Sequence, residues 1–170
     1  MEFVIETAVD QRAVTALARG LRKTLRRRRS RMVRLLGWAL AALSLLLSLL
    51  LYLAEGDVLW LNLLIGLALP VIILCEDRLD GAVGLRQVLP GSRQVTARFT
   101  EEDYVHTTPV SESRWRYGQI QAICETEDYF LLLLSRRHGQ VYSKAGFTRG
   151  DPEAFRAFLA ARTGLPVRAV

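Results

Sequence analysis

Few side chains in this sequence are of types that react. The histidines are His106 and His138, and the cysteines are Cys75 and Cys124. No CxxC, HExxH or His-rich tract gathers them, so their spacing predicts free thiols and no metal. Glu125, Glu127 and Asp128 supply neighbouring carboxylates. Yet Glu127-Asp128 reads as a hairpin-like break, where acids are ordinarily solvated. His106 follows a strand pattern and His138 sits in a tight loop, so each reads as exposed rather than catalytic. An enzyme needs a nucleophile, a base or paired acids in one pocket. No GxSxG, P-loop or GxGxxG is present. No catalytic residue and no cofactor is therefore expected. Lys144 and Tyr117 are left as candidate ligand or partner contacts. An ammonium can hold a phosphate or carboxylate, while the plainer readings are a snorkelling lysine and a core tyrosine.

The elements that would position these residues follow from how charge is distributed. The chain has 170 residues, 51% hydrophobic and 24% charged, with a net charge of +6. Residues 1–34 hold ten Lys/Arg against three acids, and residues 76–170 hold thirteen against twelve. Residues 35–75 contain no Lys or Arg and only Glu55 and Asp57. Leu35 to Ala54 and Val58 to Cys75 are two uncharged runs. A helix of about 20 residues rises about 30 Å, the thickness of a bilayer core. Only Glu55-Gly56-Asp57 separates the runs, which predicts a transmembrane helical hairpin over 35–75. Trp38, Tyr52 and Trp60 sit near the ends of the runs, where amphipathic rings favour the interface. Asn62 and Pro70 read as tolerated irregularities. A soluble protein and a large multidomain enzyme are excluded.

Eight Lys/Arg fall within residues 22–34 and none in the 55–57 loop, while Arg78 and Arg86 follow the second run. The positive-inside rule then places both termini in the cytoplasm. Val14, Leu17, Leu21 and Leu25 recur at helical spacing, so residues 9–34 read as a basic amphipathic juxtamembrane helix. Its candidate lipid contacts are Arg22, Lys23, Arg26, Arg27, Arg28, Arg29, Arg31 and Arg34, each favouring an anionic surface by about 1 kcal/mol. A flank that merely sets topology is the alternative, and nucleic acid is not the expected partner. Thr7-Ala-Val-Asp10 resembles a capping box that would start this helix.

Residues 76–91 read as a connecting helix that Pro90-Gly91 ends. From Val95 the period becomes two, with strands expected at 95–100, 104–108, 114–117, 119–126, 129–135 and 139–143. Asp151, Pro152 and Gly164 bound a C-terminal helix over 151–163. Residues 92–170 thus form a cytoplasmic antiparallel β-sheet domain with a C-terminal helix, in an α+β membrane protein. Phe3–Thr7 is expected to join that sheet as an edge strand, with Phe3 and Ile5 on one face and Val4 on the other.

Tyr117-Gly-Gln-Ile120, Glu125-Thr-Glu-Asp-Tyr-Phe-Leu131, Tyr142-Ser-Lys-Ala-Gly-Phe147 and the helix carrying Phe155 and Leu159 resemble the YcxB-like proteins, small bacterial membrane proteins with two spans. Tyr117 stands where the family commonly has Trp, and Ser143 where it has Pro. The resemblance implies a pleckstrin-homology-like β domain and carries no activity with it. The expected function is a non-enzymatic binding or regulatory module in the bacterial plasma membrane, with the bilayer, anionic head groups and an unidentified protein as partners. An accessory subunit of a larger membrane assembly such as a transporter is the alternative, and a membrane-proximal enzyme the third reading.

Overall fold

The computed structural model describes residues 2–88 and 90–170. The chain forms two compact units, one of residues up to Arg26 together with Arg78–Val170, the other of Arg27–Asp77.

Among the described residues the first unit holds nine strands in two sheets. One sheet has five, in the order β4 (Ser111–Arg116), β3 (Asp103–Thr108), β2 (Gln94–Phe99), β1 (Phe3–Ala8) and β8 (Phe147–Arg149). The other has four, in the order β7 (Gly139–Ser143), β6 (Tyr129–Leu133), β5 (Ala122–Glu125) and β9 (Val167–Ala169). The single antiparallel sheet expected from the sequence is therefore two sheets, and β9 pairs with β5 in parallel. The division falls at Tyr117–Gln119, a tight 3-10 turn between β4 and β5. There the Gln119 side chain accepts the Arg116 N–H at 3.1 Å, and the Tyr117 hydroxyl donates to the Thr100 carbonyl at 2.6 Å.

Strand β1 does not lie at an edge. It pairs antiparallel with β2, Phe3 opposite Phe99 and Ala8 opposite Gln94, and on its other side with the short β8. Phe3, Ile5 and Thr7 are buried on one face. Thr7 is not a helix cap: its hydroxyl accepts the Ser143 N–H at 2.9 Å and so ties β1 to β7. Asp10 caps helix α1 (Gln11–Lys23), accepting the Ala13 N–H at 2.7 Å. An acidic side chain suits that place because it satisfies a helix-start donor that has no partner within the helix.

Leu131–Leu134, four apolar residues in a row, are buried. Strand β6 is covered on both faces, and such strands read as continuous apolar runs instead of alternating ones. Phe130 and Leu132 join the core between the sheets, with Phe3, Phe99, Tyr104 and Tyr142. Leu131 and Leu133 face a second cluster with Ala13, Leu21 and Cys124. The apolar stripe of α1 is thus used against the four-stranded sheet. A Cβ on Gly20 would come 2.7 Å from Leu131 Cδ1. Any larger residue there would have to displace a buried leucine, which a close-packed core resists. The helix also stops sooner than its periodicity suggests. The Thr24 hydroxyl donates to the Gly20 carbonyl at 2.6 Å, and a new helix begins at Arg27.

Helix α4 (Pro152–Thr163) closes the inter-sheet core. Asp151 accepts the N–H groups of Glu153 and Ala154, and Gly164 ends the helix in the left-handed region at φ 67°. These are the residue types that helix starts and stops favour. The Phe155 ring of α4 lies 4.7 to 5.4 Å from those of Phe3, Phe99, Phe130 and Phe147.

The second unit contains the whole of α2 (Arg27–Glu55) and the first part of α3 (Trp60–Gln87). Both helices are long and apolar enough to cross a membrane. They meet over small residues, as helices in lipid commonly do. Ala41 and Ser48 are buried, and Cβ atoms on Gly37 and Gly66 would strike Ile73 and Leu45. Their remaining surface is bare, with Leu53 72% and Trp60 74% exposed. Helix α3 runs through Pro70 and on to Gln87 without a break, so the connecting helix expected over 76–91 is its own continuation.

Candidate functional site

Alternation on two facing strands assembles the site, because residues two apart share a face. Tyr104 and His106 share a face of β3, Gln140 and Tyr142 share a face of β7, and these side chains meet. The hydroxyls of Tyr104 and Tyr142 both donate to Gln140 Oε1 at 2.9 Å. The Tyr142 proton is thereby committed, so its oxygen accepts from His106 Nδ1 at 3.1 Å. His106 is then the Nδ1–H tautomer, with Nε2 as its acceptor. Burial, and next the charge of His138, push its pKa below the ordinary histidine value, so it is neutral at pH 7. Burial raises the pKa of both tyrosines, which remain donors.

His106 and Gln140 line a cavity of about 700 Å³ within the first unit. Cavities of this size are common among small-molecule sites. One wall is aliphatic: Val14, Leu17 and Leu21 of α1, with Val83 and Val88 near the end of α3. The other carries Ser111, Ser113 and Trp115 of β4. Arg26, Arg137, His138 and Asp80 also line the cavity. The His138 ring stacks on Trp115 with centroids 5.9 Å apart. His106 gives its Nδ1 hydrogen to Tyr142 rather than engaging a serine. The Cys124 thiol is buried elsewhere, with its pKa raised by that burial. A raised thiol pKa leaves little of the nucleophilic thiolate.

The residues singled out from the sequence are distributed differently. Lys144 is an internal partner: its ammonium lies 2.6 Å from Glu125 Oε1 and above the Phe130 ring. Tyr117 is buried, and its hydroxyl is bonded to the Thr100 carbonyl. Both side chains are bonded within the fold. Glu125 is not a solvated acid, for Arg156 also grips its carboxylate, whose side chain is 12% exposed; Glu127 and Asp128 are exposed. His106 lies inside β3, not after it, and is half-buried, while His138 is exposed in its turn. Of the basic set, Arg22 and Lys23 occupy the last turn of α1, and Arg26 borders the cavity. Arg27, Arg28, Arg29 and Arg31 are exposed on α2, and Arg34 pairs with Glu76 at 3.8 Å. Cys75 and Cys124 are free thiols. Among the described residues no three His, Cys, Asp or Glu gather as a metal would require. The one signal of the site in the sequence is the i, i+2 pairing of polar and aromatic residues in Tyr104/His106 and Gln140/Tyr142.

Burial alone would raise the Glu125 pKa, but hydrogen bonds and charge from Arg156 and Lys144 outweigh it and hold the group below the ordinary glutamate value. A lowered folded-state pKa contributes stability that is present above the unfolded value and lost as pH falls through the folded one. Glu125→Gln should therefore flatten the acid limb of the stability curve, read from thermal melts between roughly pH 3 and pH 7. An unchanged limb would show that this cluster carries none of the acid sensitivity.

Two packed sheets, with a C-terminal helix over their core and two long apolar helices between β1 and β2, define a class of small α+β protein with paired candidate spans. Within it, residues 99–159 match the family described as YcxB-like protein, from the end of β2 into α4. No curated protein and no solved structure matches the chain.

Proposed function

We propose that this chain is a non-enzymatic binding or regulatory module anchored in the bacterial plasma membrane, its β unit cytoplasmic and of pleckstrin-homology-like build. The pairing of β1 with β2 carries this reading. These strands flank α2 and α3 in the chain, and hydrogen-bonded strands share one side of a membrane. If the apolar helices cross it, they cross as a pair. The bare leucines of both helices support insertion, since their most apolar windows are only 11% and 6% buried within the protein. Apolar surface left open on that scale marks contact with lipid or another protein. The Lys/Arg bias then puts both termini inside. The exposed Arg27, Arg28, Arg29 and Arg31 meet anionic head groups, and the cavity supplies the binding function. Reporter fusions at Gly56 and at Val170 should be active on opposite sides, Gly56 outside and Val170 inside. Activity on the same side for both would overturn the reading.

A further inference from the structure

We infer that the cavity of the β unit is a binding site for an anionic amphiphile, a single acyl chain ending in one carboxylate or phosphate; this rests on the module being a binding one. The cavity lining combines two chemistries. Val14, Leu17, Val83 and Val88 make an aliphatic wall suited to a hydrocarbon tail. Such a tail gains free energy with each methylene it removes from water. Arg26, Arg137 and His138 also line the cavity, and Arg26 is bonded to the turn that carries the other two. Arg26 Nε donates to the Arg136 carbonyl, which docks the segment after α1 onto the β6–β7 turn and engages only one of the guanidinium's nitrogens. The turn itself is braced: Ser135 Oγ accepts the N–H groups of Arg137 at 3.2 Å and His138 at 3.0 Å. A planar guanidinium matches a carboxylate or phosphate in two parallel hydrogen bonds. The lining's arginines, Arg26 and Arg137, outnumber its one carboxylate, Asp80, which favours an anion. His106, neutral as its Nδ1–H tautomer, adds no charge and keeps the polar wall uncharged beside the head group.

Trp115 lines the cavity and provides the readout, because the only other tryptophans, Trp38 and Trp60, lie in the apolar helices. A full-length chain carrying Trp38→Phe and Trp60→Phe, in nanodiscs of neutral phosphatidylcholine, would be titrated with bromine-terminated decanoate and with the matching decanol. The carboxylate should quench Trp115 saturably. Arg137→Gln, at an exposed turn residue, should weaken that binding roughly tenfold. Ser113→Phe, which fills the cavity from β4, should abolish it, and inorganic phosphate at equal concentration should not displace it. Equal saturable affinity for decanol and decanoate would overturn the anionic class. Displacement by inorganic phosphate would overturn the amphiphile, leaving a head-group site alone. Linear quenching by both probes would overturn the site altogether, and the topology fusions judge the membrane module independently of all three results.

Discussion

Replacing Phe155 with alanine is expected to lower the stability of the β unit by about 3–5 kcal/mol. That is a large fraction of the roughly 5–15 kcal/mol that holds a typical domain folded. Phe155 is fully buried, and its ring meets those of Phe3, Phe99, Phe130 and Phe147. Those partners come from β1, β2, β6 and β8, so both sheets lose packing when the ring is removed. Edge-to-face contacts add to the simple burial of area. Chemical denaturation of the full chain in detergent, followed by Trp115 fluorescence, should show the shifted midpoint, and Phe155→Leu should recover much of it. A midpoint unmoved in the alanine variant would mean that α4 does not close the core.

The second expectation is harsher. Ile5→Asp should leave the β unit unfolded, whereas Glu6→Ala, its exposed neighbour, should fall within about 0.5 kcal/mol of the parent. Ile5 has no exposed surface and stands opposite Ala97 on one side and Phe147 on the other. A carboxylate there would be desolvated with no cation facing it, a cost of several kcal/mol that a marginally stable domain cannot absorb. Limited proteolysis reads the difference: residues 94–170 should be cut rapidly in Ile5→Asp and resist in Glu6→Ala. Equal resistance would show that β1 is dispensable to the domain.

Much of this fold is legible because local chemistry and tertiary structure agree. Asp151, Pro152 and Gly164 bound α4 in the sequence and in space. The uncharged runs from Leu35 and Val58 correspond to α2 and α3, apart from the two residues before Trp60. The pairing of β1 follows from a lone apolar strand needing a sheet, although not its place between two neighbours. That place depends on β8, three residues whose sheet partner is β1 itself. Strand β9 is hidden for a similar reason, since three residues after Pro166 carry no alternation and are extended through pairing with β5. The stripe on α1 is legible as amphipathic, but periodicity does not say whether lipid or protein covers it. Leu131 and Leu133 do. The cavity is the least legible feature, because its walls come from segments between Val9 and Val141 and only the fold brings them together.

The interruption of the β unit by α2 and α3 sets an order of events during synthesis. Strand β1 ends at Ala8 and its partner β2 begins at Gln94, so 85 residues lie between them on the ribosome. At about 5–20 residues per second this delay is roughly 4–17 s. Through that interval Phe3 and Ile5 have no sheet to join, and the apolar stripe of α1 waits longer still, until Leu131 and Leu133 emerge. The β unit can be completed only after both long apolar helices have been made, so a ribosome that stalls between Glu55 and Gln94 releases a fragment with an orphaned strand, suited to rapid degradation. Quality control of the β unit is in this way tied to completed synthesis of the apolar helices.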